Sequence, residues 1–574
     1  MPKEALRARI KAKLIRIYGE ERAGTILDPL FQLIEKTQLP DADFGELSEA
    51  DSVLITYGDQ VQREGEAPLQ TLHHVLNDTI KGVINTVHIL PFFPYSSDDG
   101  FSVIDYYAVN PALGTWDDVR DMSTDFKLMF DAVFNHISAQ SEWFKAFLRQ
   151  ESPYDNYFVT VPEGTDLSAV VRPRALPLLT AFQTPNGEKL VWTTFSEDQI
   201  DLNFDNPQLL LDVLRILLFY VEQGASLIRL DAIAFLWKVP GTSSIHLEET
   251  HLVIQLMRDV LDMVAPQVVL ITETNVPHEE NISYFGDGSN EAQMVYNFAL
   301  PPLVLHTLLT GNASKLSEWA GTLTQVGERT TFFNFTASHD GVGLRPATGL
   351  LNQKEVDALV EMVKAHGGLV SYRSQSDGSQ VPYELNIAYF DAITAPEVTA
   401  NEPDTAVKRF IVSQAIALAL IGVPGVYFHS LFGSRNDLEG VEKTGHNRTI
   451  NRQKLNADIL QEALDDKKSL RAKVFSAYRK LLRIRGSESA FHPFGQQRII
   501  NLTSELFTVI RTSPDGTETI IALHNISGKA MMIDVPTGKV EIWKDVLSEE
   551  EYTSLEGTVQ IVMEPYQVLW LKAY

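Results

Sequence analysis

Apolar residues in this chain follow two rhythms. Near the start, Leu6, Ile10, Leu14 and Ile17 recur at helical spacing among mixed charges, which predicts an amphipathic helix and not the apolar stretch of a signal peptide. From about residue 51, short, largely apolar runs at 53–57, 83–90, 128–134, 226–230, 268–272, 295–298, 331–337 and 423–428 alternate with helical stretches. Short apolar runs suit buried strands, and eight of them alternating with helices are what an α/β (β/α)8 TIM barrel requires. A doubly wound open sheet fits the same pattern. After about residue 490 the rhythm becomes one of short alternating segments, 506–511 and 519–524, between Gly and Asp turns. That predicts a C-terminal antiparallel β-domain.

The chain therefore divides into a helical segment at 1–50, which ends in the acidic stretch 41–51, a barrel at 51–490 and a β-domain at 491–574. Two connections, 137–190 and 341–400, are far longer than ordinary βα loops and are expected to overhang the barrel mouth as inserted subdomains. The second includes an Asp377-Gly378 turn. The run 410–428 is free of charge and long enough to span a bilayer, but Ser413 and Gln414 lie inside it and Gly422-Val-Pro-Gly425 breaks it. A buried helix, a turn and a buried strand account for it.

Polar residues choose between barrel and open sheet by where they fall. Asp131 with His136, Arg229 with Asp231, Glu273, and His339 with Asp340 all stand at or just past the ends of separate apolar runs. A barrel brings such ends to one mouth, whereas an open sheet spreads them. Arg229 and Asp231, two apart on a strand, face the same side; a structural ion pair is the plain alternative to a site. Three carboxylates at three strand ends suit glycosidic chemistry with retention. In that chemistry Asp231 is the nucleophile, its pKa lowered by Arg229, and Glu273, in an apolar run, is the acid whose pKa is raised by burial. Asp340 would hold sugar hydroxyls. Each carboxylate taken alone is equally a cap or loop anchor. A metal reading of the same residues finds no ligand spacing, so none is expected.

Composition narrows the classes further. The 44% apolar and 21% charged residues describe a water-soluble globular protein with no membrane partner, and the absence of cysteine excludes disulfides and thiolate catalysis and favours the cytoplasm. A formal net charge of −27 would repel nucleic acid.

Four stretches, Asp131-Ala-Val-Phe-Asn-His136, Ile228-Arg-Leu-Asp-Ala232, Ile271-Thr-Glu273 and Ala337-Ser-His-Asp340, resemble in order the motif regions of the α-amylase superfamily. His88-Ile-Leu-Pro-Phe-Phe93, Asp98-Asp-Gly-Phe101, Arg172-Pro-Arg174, Ala299-Leu-Pro-Pro-Leu303 and Ile450-Asn-Arg452 are similar to its sucrose phosphorylase branch. The resemblance implies Asp231 as nucleophile, Glu273 as acid/base and Asp340 as transition-state stabiliser. It implies a glucose pocket of Asp98, Phe101, His136, Arg229, His339 and Arg452. It also implies inorganic phosphate as co-substrate, bound by Arg174 and Tyr383, with no further cofactor.

The chain departs from the sucrose enzymes at Val381-Pro-Tyr-Glu384 and at Thr274-Asn275. Thr272-Glu-Thr-Asn-Val-Pro-His278, Pro382-Tyr-Glu-Leu-Asn386 and Gly433-Ser-Arg-Asn-Asp437 look most like the glucosylglycerate phosphorylases of the branch. The implied reaction is reversible phosphorolysis of glucosylglycerate to α-D-glucose 1-phosphate and D-glycerate, with sucrose, sucrose 6-phosphate and glucosylglycerol as alternative substrates. A non-catalytic amylase-like binding protein is the alternative from another class. Asn275, Glu384 and Arg435 join the expected acceptor site, and Arg174, Arg435, Lys443 and Arg448 are the cations available for an acidic acceptor. A homodimer is left open.

Overall fold

The computed structural model describes residues 2–40, 46–174, 176–374 and 380–574. The Asp377-Gly378 turn and the first part of the acidic stretch, 41–45, lie outside the described residues. Eight parallel strands close into a barrel: β1 (Val53–Thr56), β2 (Thr86–Ile89), β3 (Lys127–Ala132), β4 (Ala225–Leu230), β5 (Val269–Thr272), β6 (Met294–Tyr296), β7 (Thr331–Phe335) and β8 (Val423–Tyr427). Each strand pairs with its neighbours in chain order, and β8 returns to β1. The open-sheet alternative is thereby excluded. Each strand falls within or beside one of the eight apolar runs, and residues such as Leu54, Val87, Phe130, Ile228 and Leu270 have no exposed surface.

The amphipathic start is a helix, Lys3–Lys36, kinked where Gly19 takes φ 78°. It buries Leu6, Ile10 and Leu14, and its Lys13 pairs at 2.5 Å with the buried Asp259 of a barrel helix. The charge-free run becomes the helix Pro403–Ala419 followed by β8, and among the described residues no helix is long and apolar enough to cross a membrane.

The first long connection, between β3 and β4, pairs His136–Ser138 with Gln199–Asp201 and adds a three-stranded sheet. The second, between β7 and β8, carries an antiparallel sheet in the order Val342–Gly343, Gln380–Asn386, Leu369–Ser374. At the C-terminus a six-stranded antiparallel sheet runs from Gln496–Ile500 to Val568–Ala573, beside a two-stranded one of Met531–Pro536 with Thr558–Met563. The six-stranded sheet meets the barrel at the strand starts: Gln497 Oε1 accepts from the Ile421 N–H just before β8, and the Pro493 carbonyl accepts from the Thr331 hydroxyl at the start of β7.

Candidate active site

Register sets the centre of the site. Strand β4 pairs with β3 so that Arg229 lies beside Asp131, and with β5 so that Leu230 lies beside Thr272. One residue further on, Asp231 and Glu273 therefore leave adjacent strands together. Arg229 donates to Asp131 and, at 2.7 Å, to Asp231, and its other terminal nitrogen stands 3.9 Å from Glu273. Asp131, fully buried, also accepts from His88 Nε2 at 2.6 Å. Ala232 turns left-handed at φ 47°, and its N–H donates to Glu273 Oε2 at 2.9 Å. The acid candidate is thus fixed to the backbone of the residue that follows the nucleophile candidate.

Burial outweighs the other influences on both carboxyls. It pushes Glu273 up to about 7, with Asp231 and Asp340 pushing the same way and Arg229 opposing. Burial also raises Asp231, against the pull of Arg229, so the expectation that Arg229 would hold Asp231 below its ordinary value is corrected. Arg229 limits the rise without reversing it.

Around this pair the mouth is built from loops. Asp98, Asp99 and Gly100 take φ of 53°, 48° and 110°, and a Cβ on Gly100 would come within 2.6 Å of the Pro91 carbonyl. This tight turn beyond β2 brings Asp98 to Arg174 at 3.0 Å and lays the Phe101 ring on His339, centroids 4.9 Å apart and planes 6° apart. Burial works to raise Asp98, but Arg174, Arg448 and Arg452 hold it well below the usual carboxylate range. His136 donates from Nε2 to the Phe101 carbonyl at 2.9 Å. Burial pushes His339 far down, reinforced by Arg452 and Arg229, so its ring is neutral. Arg229 Nε, His339 Nδ1 and Arg452 Nη2 are buried without a hydrogen-bond partner.

A cavity of about 400 Å³ opens over these groups. Asp98, Phe101, His136, Arg174, Arg229, Asp231, Asn275, Glu273, His339, Asp340, Tyr383 and Glu384 line it, as the sequence reading expects of a common site. Arg452 stands behind that wall, donating from Nε to the His339 carbonyl at 2.7 Å and pairing with Asp99. Arg435 is a correction. It is committed to the buried Asp391, lies over the Phe390 ring and does not line the cavity. Lys443 pairs on the surface with Glu439. Glu384 is buried, and both its oxygens are held by Arg448, at 3.0 and 2.6 Å, while Asn386 donates to one of them at 2.6 Å. Arg448 also reaches Asp340 at 2.6 Å, so it ties Asp340 to the second long connection.

Sequence reasoning missed Gln199, Phe195, Arg345 and Arg373, all of which line the cavity. Gln199 Nε2 donates to Asp98 at 3.1 Å and to the Phe101 carbonyl at 2.9 Å. Its place depends on the pairing of Gln199–Asp201 with His136–Ser138, which no local signal announces. Among the described residues no cluster of His, Asp and Glu has metal-binding geometry.

The catalytic-domain model of the α-amylases matches residues 78–363. The chain is 49% identical to the glucosylglycerate phosphorylase of Spirochaeta thermophila, covering 99% of this chain and 98% of that one. It is 43% identical to the Escherichia coli glucosylglycerate phosphorylase, over 99% and 100%. Among solved structures, the sucrose 6F-phosphate phosphorylase from Thermoanaerobacter thermosaccharolyticum superposes with a TM-score of 0.73 at 25% identity, covering 88% of this chain and 98% of that one.

Proposed function

The chain belongs to the α-amylase family, in its sucrose phosphorylase branch, and from that membership we propose that it is a retaining α-glucoside phosphorylase acting on glucosylglycerate. The observation that carries the chemistry is the tie between Glu273 and the Ala232 N–H, which holds a carboxyl with a pKa of about 7 beside Asp231 and Arg229. The acceptor is supported by likeness to glucosylglycerate phosphorylases along the whole chain.

In the first displacement an Asp231 oxygen attacks the anomeric carbon while Glu273 protonates the departing oxygen, releasing D-glycerate and leaving a glucosyl-aspartate. In the second, a phosphate oxygen attacks the same carbon and gives its proton to the Glu273 carboxylate, which yields α-D-glucose 1-phosphate with net retention. Asp340 binds sugar hydroxyls beside the reacting carbon, held by Arg448. Asp98, His136, Arg229, His339 and Arg452 form or back the glucose pocket, with Phe101 as its platform. Arg174 and Tyr383 meet the incoming phosphate, and the guanidinium fork of Arg174 suits that anion. Phosphate is the only co-substrate in this scheme, and a cytoplasmic site of action suits a chain without cysteine.

The test is incubation with glucosylglycerate and with sucrose, each with and without phosphate, reading glucose 1-phosphate. Phosphate-dependent product from glucosylglycerate, well above that from sucrose, is expected. Product from sucrose alone overturns the acceptor assignment, and glucose release that ignores phosphate overturns the phosphorylase.

A further inference from the structure

The four cations that the sequence offers for an acidic acceptor are already engaged. Arg174 is on Asp98, Arg448 on Asp340 and Glu384, Arg435 on Asp391, and Lys443 on Glu439. Two other arginines line the cavity. Arg345 opens the short 3-10 turn Arg345–Ala347 just past Val342–Gly343, and Arg373 lies on Leu369–Ser374. Both strands flank Gln380–Asn386, so the second long connection presents both arginines from one small sheet and the turn that follows it.

Arg345 has one loose carboxylate partner, and among the described residues Arg373 has none. Arg345 forms an ion pair with Glu280 at 3.6 Å, a carboxylate it shares with His246, whose Nε2 lies 3.2 Å from the same oxygen. Burial holds the Arg345 guanidinium below its ordinary value, Glu280 opposes that fall, and the charge of Arg373 adds a smaller push downward. Two guanidiniums on one cavity wall, with a single loose carboxylate for the pair among the described residues of a chain with 75 acidic and 48 basic residues, are an arrangement that an anion in the cavity relieves. The Asn275 carboxamide lies against Gly343, where a Cβ would approach it to 2.8 Å, so a neutral donor stands on the same wall two residues past Glu273.

We infer that Arg345 and Arg373 together bind the carboxylate of the acceptor, with Asn275 beside them for its hydroxyls, and so select glycerate over glycerol. This rests on the reading of glycerate as acceptor. Phosphate is the other anion that the pair could take, and the experiment separates the two.

The synthetic direction, α-glucose 1-phosphate plus acceptor, is followed with glycerate and with glycerol for the wild type, R345A, R373A, R345K and R373K. Loss of a charge-assisted pair is expected to raise the KM for glycerate by about 10- to 100-fold per alanine substitution. The glycerate-to-glycerol preference falls in step, the KM for glucose 1-phosphate changes less than about 3-fold, and the lysine variants recover part of the preference. The preference is a ratio within one preparation, so it stands even where a variant folds poorly. An unchanged ratio in both alanine variants overturns the assignment. So does a rise in the phosphorolytic KM for phosphate with the ratio intact, which gives the pair to the co-substrate. A wild type that makes no glycerate-dependent product fails the proposed function itself and is seen before any variant is measured.

Discussion

Arginines are buried at both ends of the barrel, and the two sets behave oppositely. At the mouth, burial works against the charge of Arg229, but Asp131 and Asp231 hold its pKa well above the ordinary range, and its Nε has no partner. At the base, burial lowers Arg485 to about 10 and Arg511 to about 9. Arg485 donates to the carbonyls of Leu418, Glu49, Asp51, Gly422 and Phe491, and Arg511 to those of Gln496, Ala419 and His492. Neither has a carboxylate partner among the described residues. Burial alone therefore does not mark a site. The base arginines bind the start of β8, the approach to β1 and the C-terminal sheet with neutral acceptors that satisfy their donors. At the mouth, Arg229 and Arg452 balance carboxylates and each keeps one buried donor without a hydrogen-bond partner, the kind of electrostatic preorganisation that glycosyl transfer uses.

The largest test of that contrast is at the mouth. Asp231→Ala is expected to lower kcat for phosphorolysis by four orders of magnitude or more, on the order of ~10⁴, with the melting temperature little changed. A residual rate within about tenfold of wild type places the nucleophile elsewhere. Glu273→Gln comes next, at about 10³-fold for glucosylglycerate, and less for glucose 1-phosphate, whose phosphate leaves with less help from an acid.

The same residue fixes the sign of the pH profile. With Glu273 at about 7, the acid is present below that value, so the wild-type rate falls about tenfold per pH unit above it, a limb absent from Glu273→Gln. Because the folded pKa lies above the ordinary 4.5, the carboxyl keeps its proton on folding, and that contribution to stability is lost as pH rises through about 7.

The smallest effect on turnover is expected at the base. Arg485→Met leaves several buried carbonyls without donors and should cost about 3 kcal/mol in denaturant unfolding, while the KM for phosphate stays as in the wild type. A change in KM without loss of stability breaks the division between the two ends.

The barrel was legible because its strands are buried on both faces and so appear as short, largely apolar runs. The centre of the site was legible for a related reason. Arg229, Asp231 and Glu273 sit on or one step past strands, where a period of two and a parallel register leave little freedom in where a side chain points. The long connections follow no such rule. In the second, Ser371 pairs with Glu384 but Tyr372 pairs with Pro382, so Tyr383 is an extra residue that shifts the facing of everything beyond it, Arg373 included.

The amino-acid sequence by itself determined the eight-stranded barrel and the trio of carboxylates that meet at its cavity, through local patterns that survive any placement of the loops. Only the tertiary structure decided which arginines are spent on Asp98, Asp340, Glu384 and Asp391 and that Arg373 reaches the cavity without a carboxylate partner among the described residues. Ion pairing across many dozens of residues, and a bulge that turns a strand over, depend on contacts between segments that are far apart along the chain.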